Sequence, residues 1–143
     1  MKAVFPVVLD ANVIAHQMVC DFLLRLAEHP SLFAPIWSER ILQEMKTAKT
    51  IKFKRPWPIE KSERMQHHMQ KAFPEAMVCA RPDLEKILTN HEKDRHVLAT
   101  AIQGKATVIC TFNLKDFPLA SVEPHEVKVK HPADFLIDLY TVE

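Results

Sequence analysis

The chain predicts an α/β fold: a three-layer α/β/α domain around a central, mostly parallel sheet. Three observations carry this expectation. Val4-Phe5-Pro6-Val7-Val8-Leu9 is an apolar run without alternation, the pattern of a strand covered on both faces. Ala106-Thr107-Val108-Ile109-Cys110-Thr111 is a second such run. Between and after them lie segments of helical periodicity, and strands alternating with helices imply a parallel sheet wrapped by helices.

The elements follow in order. Residues 4–9 form the first strand and 12–28 a helix, with Ile14, Met18, Phe22 and Leu26 recurring every four residues. His29-Pro30 ends that helix, because a residue before proline avoids helical geometry. Leu32-Phe33-Ala34 is a short strand before Pro35, and a helix runs from about Trp37 to Ala48 with Ser38 as its cap. Residues 49–58, holding Pro56 and Pro58, are a loop, and 59–73 are a polar helix ended by Pro74. Met77 to Ala80 is another short strand, and Asp83 to Leu88 a helical turn or two. A helix from Glu92 to Gln103 stops at Gly104. The strand 106–111 follows, then a weaker strand from Glu126 to Val129. Pro132 opens the last helix, whose apolar face is Phe135, Leu136 and Leu139. With no repeat, low-complexity tract or linker, residues 1–143 read as one domain.

Composition closes several routes. A single glycine excludes a Walker loop and a Rossmann glycine-rich turn, which need several. The net charge of +1 announces neither nucleic acid nor membrane. Cys20, Cys79 and Cys110 are far apart in apolar contexts without a Cys-x-x-Cys pair, so they read as reduced, mostly buried thiols of a cytoplasmic protein. Met1-Lys2-Ala3 leads straight into a strand, so no signal peptide is expected, and no apolar run approaches the roughly 20 residues of a membrane helix.

The acids carry the chemistry. Asp10 closes the first strand, and Asp116 follows the strand 106–111 after Asn113. Ligands gather beyond the carboxyl ends of strands in open α/β sheets. Glu44 lies three residues after Ile41 and beside Met45, on the border of a buried helix face. Asp94 precedes Val97 and Leu98 by three and four positions, at the apolar side of a helix start. Each has an ordinary reading: Asp10 as a cap, Glu44 as a solvated acid, Asp94 as a helix-dipole or Arg95 partner, Asp116 as a turn former. As a set they are more than capping requires. If they converge, their repulsion is tolerable only with a cation, and carboxylate ligands select Mg²⁺ or Mn²⁺. Such a site suits phosphodiester hydrolysis. A haloacid-dehalogenase-like phosphatase also starts with a strand-end Asp but needs a second two residues on, where Asn12 stands.

With these residues assembled, the chain resembles a PIN domain, the nuclease fold of VapC-type toxins. The most specific segments are Asp94-Arg95-His96-Val97-Leu98-Ala99-Thr100-Ala101 and Val108-Ile109-Cys110-Thr111-Phe112-Asn113-Leu114-Lys115-Asp116-Phe117-Pro118. Val7-Val8-Leu9-Asp10-Ala11-Asn12-Val13 and Ser38-Glu39-Arg40-Ile41-Leu42-Gln43-Glu44-Met45 match the first and second acid segments. The resemblance implies a Mg²⁺- or Mn²⁺-dependent ribonuclease with catalytic, metal-holding acids Asp10, Glu44, Asp94 and Asp116. Asn12, Thr111 and Asn113 become polar supports, with Asn113 orienting an acid or a metal-bound water. Asn12 stands where many members carry Ser or Thr, and His91 where many carry another acid. His96 reads as structural, since the family is not known for histidine catalysis. The pair His67-His68 reads as surface. The resemblance further implies an RNA substrate, a cognate antitoxin and a homodimer, with no membrane partner. The alternatives are a PIN nuclease in RNA processing without an antitoxin, and a non-catalytic PIN-like binding module.

One segment suggests how RNA is held. Lys46, Lys49, Lys52, Lys54 and Arg55 form a basic run without an intervening acid, with Phe53 and Trp57 interleaved. Cations hold phosphates and aromatic rings stack unpaired bases. The run follows the Glu44 helix, so Lys49, Lys52, Lys54, Arg55 and Trp57 are the expected RNA contacts. A solvated loop is the plain alternative.

Overall fold

The computed structural model describes residues 5–141. In chain order they form β1 (Pro6–Leu9), α1 (Ala11–Ala15), α2 (Gln17–Glu28), β2 (Ala34–Ile36), α3 (Glu39–Thr47) and α4 (Ile59–Ala72). Then come α5 (Arg95–Gln103), β3 (Val108–Cys110), α6 (Leu119–Val122), β4 (Lys128–Lys130) and α7 (Pro132–Thr141). Val4, the first residue of the expected opening strand, lies outside the described residues.

The sheet is parallel throughout, in the order β2-β1-β3-β4. Val8 faces Ile36 on one side and Ile109 on the other. Val7, Val8, Leu9 and Ile109 are wholly buried, as the unbroken apolar runs require of strands covered on both faces. The chain leaves β1 toward β2 on one side and leaves β3 toward β4 on the other. The carboxyl ends of β1 and β3 therefore border the crevice where the winding reverses, the usual ligand position in such sheets.

Several expected elements shift for physical reasons. The expected helix 12–28 is two helices broken at His16, whose backbone is extended and whose Nδ1 accepts the Val19 N–H at 3.3 Å. The break rotates the buried face. Cys20, Leu23 and Ala27 are inside, while Met18 and Phe22, both on the expected stripe, are 78% and 52% exposed. The second strand is Ala34–Ile36, so it contains Pro35 instead of ending before it. β2 is an edge strand of the described sheet, where proline's missing N–H costs no ladder bond. Met77 contributes only an isolated bridge to Trp37 in place of the expected strand. Residues 49–52, expected to begin a loop, instead join Ala48 in one wide turn with π-type pairing that continues α3.

Gly104 ends α5 as expected but for a different reason. Its φ is −84°, and Lys105 takes the left-handed conformation at φ 58°. A Cβ on Gly104 would lie 2.6 Å from the Ile36 Cδ1 and 3.1 Å from the Thr100 carbonyl oxygen, so a larger residue there makes the Ile36 side chain shift.

Candidate active site

Asp10 leaves β1 with its backbone N–H still bonded to the Cys110 carbonyl at 3.0 Å, which extends the β1–β3 pairing by one residue. Its carboxylate is 3% exposed. Oδ1 accepts the Ala11 N–H at 2.7 Å and Oδ2 accepts the Thr111 hydroxyl at 2.8 Å. Asp10 is thus a helix cap and a site carboxylate together. Burial pushes its carboxyl above the ordinary 3.8, the bonds from Thr111 and Ala11 oppose this, and the Glu44 charge adds to it.

Thr111 uses its whole hydroxyl. It donates to Asp10 and accepts from Asn12 Nδ2 at 3.2 Å and from the Asn113 backbone N–H at 3.1 Å. Asn12 spans the gap: Nδ2 reaches Asp10 Oδ2 at 3.4 Å, and Oδ1 accepts the Phe112 N–H at 3.1 Å. Asn12 and Thr111 thus both reach the Asp10 carboxylate. Asn113 joins through its backbone, and its side chain is exposed.

Asp94 occupies the N-cap position of α5, yet its side chain makes no capping bond. The carboxylate meets Asp116 instead, and Asp116 closes a short 3₁₀ turn, Leu114–Asp116. Burial, then the hydrogen bond with Asp116, then the charges of Asp10, Asp116 and Glu44 push the Asp94 carboxyl up to about 7. The expected pairing of Asp94 with Arg95 does not form, because Arg95 Nε bonds the Asn90 carbonyl at 2.9 Å.

Glu44 projects from α3 with its side chain 42% exposed, and Oε1 is 3.0 Å from Nε2 of the buried His96. An open cleft of about 480 Å³ brings these parts together, lined by Asp10, Asn12, Gln43, Glu44, Lys52 and Asp94. Asp116 meets the group from the far side of Asp94, where ligand atoms of His91, Asp94 and Asp116 lie within 4.8 Å of one another.

Two residues escaped the sequence reading. His91 had been marked only as a departure from an expected acid, and that position was its signal. Asn90 gave none: it is 1% exposed, and its Nδ2 bonds the Asp94 carbonyl at 3.0 Å, fixing the turn that presents the acid.

The basic run divides. Lys49 is wholly buried, with Nζ 3.8 Å from the Trp57 ring centroid and 5.4 Å from that of Phe53. It cannot meet a phosphate from there, which corrects the expectation for Lys49. Its ammonium is held by the two ring faces instead. Trp57 also has Lys61 Nζ 4.1 Å from its ring centroid, so cations already crowd the ring expected to stack a base. Lys52, Lys54 and Arg55 are exposed, and Lys52 lines the acidic cleft. Cys20 and Cys110 are buried, and burial pushes each thiol up to about 12, whereas Cys79 is exposed.

The donor set fits a hard divalent cation. It offers carboxylate oxygens and one imidazole, and burial together with the neighbouring acids pushes the Asp94 carboxyl up, a strain that a cation would relieve.

Fold and crevice define a class: a parallel α/β domain with acids gathered where the winding reverses. The chain belongs to the PIN domain family, whose model matches residues 6–115. A Mycobacterium tuberculosis protein described as "Putative ribonuclease VapC50" is 52% identical over 56 residues, 39% of this chain. That match spans 33% of the relative's own length. The solved "Structure of FitAB bound to IR36 DNA fragment" contains a chain of like fold, with a TM-score of 0.58 and 18% identity. The likeness covers 88% of this chain and 94% of that one.

Proposed function

We propose that this chain is a metal-dependent ribonuclease that hydrolyses RNA phosphodiester bonds, the toxin of a type II toxin–antitoxin pair. The observation that carries the reading is Asp94. An acid at a helix N-cap leaves the cap unused and turns to Asp116, beside the cleft it shares with Asp10 and Glu44. The strong local identity to a relative named as a ribonuclease supports the same activity.

In this reading Asp10, Glu44, Asp94 and Asp116 are the catalytic acids that hold Mg²⁺ or Mn²⁺, and His91 joins them. An ion held there would supply water activation and neutralisation of charge on the leaving oxygen. Thr111 and Asn12 hold Asp10 in one orientation, and Asn90 holds the turn that presents Asp94. Lys52 meets an RNA phosphate at the cleft mouth, and Lys54 and Arg55 extend the cationic rim.

The wider reading is one nuclease domain over residues 1–143, working in the cytoplasm as a homodimer under an antitoxin. Among the described residues no helix is long and apolar enough to cross a membrane. An apolar groove between α2 and α7, lined by Phe22, Leu26, Leu32, Leu136, Ile137 and Tyr140, offers surface for protein contact.

The deciding experiment incubates purified protein with RNA and Mn²⁺, beside Asp10→Asn and Asp94→Asn. Wild type is expected to cut and the folded variants to be inert. Full activity in both variants sinks the mechanism. Induced expression of wild type should arrest growth, and Asp10→Asn should not. Cleavage without growth arrest assigns the chain to RNA processing without an antitoxin.

A further inference from the structure

His96 is 4% exposed, in the middle of the buried face of α5. Neither ring nitrogen has an aligned hydrogen-bond partner. Buried polar groups without partners are rare and need an explanation. The acidic oxygen near Nε2 is Glu44 Oε1, at 3.0 Å. The two side chains differ in freedom. The imidazole is walled in at 5% side-chain exposure, while the carboxylate is 42% exposed at the cleft. Ile41, Leu42 and Met45 bury the inner face of α3, and Glu44 stands beside that face.

We infer that His96 is the positioning residue for Glu44: its Nε2 holds one carboxylate oxygen, so that the other would be free for a cation held by the acids of the cleft. This rests on the metal-centre reading above and assigns His96 a role without contact to metal or RNA. The 3.0 Å contact is within hydrogen-bond distance and lacks only alignment. Groups that orient a metal's ligands typically change affinity by about 10- to 100-fold when removed.

The test measures Mn²⁺ affinity directly, by the loss of the free-ion electron paramagnetic resonance signal, on the full chain. Variants are Glu44→Gln, His96→Leu, His96→Gln and the double variant Glu44→Gln/His96→Leu, each checked for folding by thermal melt. His96→Leu is expected to lower affinity about tenfold or more. The double variant should bind no worse than Glu44→Gln alone, because one interaction is removed twice. His96→Gln, which keeps an N–H, should recover part of the loss. Losses that multiply in the double variant overturn the inference, as does unchanged affinity in folded His96→Leu beside a weakened Glu44→Gln. Wild type that binds no Mn²⁺ overturns the metal-centre reading itself. Should His96→Leu not fold, the imidazole ¹⁵N resonances of wild-type His96 decide. They must move on Mg²⁺ addition, and unmoved resonances overturn the inference.

Discussion

The Thr111 hydroxyl donates to Asp10 Oδ2 at 2.8 Å, a bond between residues 101 positions apart. It ties the end of β3 to the end of β1 and leaves the Asp10 carboxylate one orientation. Replacing Thr111 by Val removes that donor, leaves the Asn113 N–H without its acceptor and leaves Asn12 Nδ2 only its longer contact with Asp10. A buried group so orphaned costs about 1–3 kcal/mol. Urea denaturation should show a loss of that order, and RNA cleavage should fall at least about tenfold. Thr111→Ser, which keeps the hydroxyl, should retain most of both.

Asp94 gives a pH signature in protein stripped of metal. Its carboxyl rises from 3.8 to about 7 on folding, so the protonated form is the one folding favours. The stabilisation is complete below 3.8 and lost as pH rises through about 7. Asp10 shifts in the same direction. In chelator, the melting temperature should therefore be lower at pH 8 than at pH 5. Asp94→Asn should shrink that difference, and Mg²⁺ should restore wild-type stability at pH 8. A difference as large in Asp94→Asn as in wild type would falsify this assignment of the proton.

In the proposed metal centre His91 would bring a nitrogen ligand to an otherwise carboxylate set. His91→Ala should weaken Mn²⁺ binding more than Mg²⁺ binding, because imidazole suits the softer ion. His91→Asp should shift preference back toward Mg²⁺. Competition titrations of the two ions read this directly, and an unchanged ratio in both variants removes His91 from the centre.

The lysines should separate cleanly. Lys52→Gln should weaken RNA binding and lower the slope of log affinity against log salt by about 1, with little change in melting temperature. Lys49→Met should leave that slope alone, since its ammonium lies against Trp57 and away from solvent. A slope change in Lys49→Met alone would reverse the assignment.

Where sequence reading succeeded, the signal was local. Asp10 and Thr111 end apolar runs, and a strand end at a winding reversal can point only toward the crevice. Ser38 caps α3 through the Ile41 N–H at 3.1 Å, as a residue of its type before a periodic segment should. Where reading failed, the deciding contact was distant. Nothing near Lys49 in sequence says that Trp57 turns back over it, and its neighbours Lys52 and Lys54 do point outward. The stripe through Met18 and Phe22 is genuine periodicity, but the break at His16 re-aims the helix. Asn90 carries no pattern, because its role is a backbone contact made after α5 has docked.

The order β2-β1-β3-β4 has a consequence for the moment of synthesis. A ribosome delivers Asp10 and Glu44 long before Asp94, Thr111 and Asp116. The strand that supplies Thr111 must insert beside β1 after most of the chain has emerged. Until then the nascent chain lacks Asp116 and the hydroxyl that aims Asp10. The acidic cleft is thus assembled only once β3 is in place beside β1.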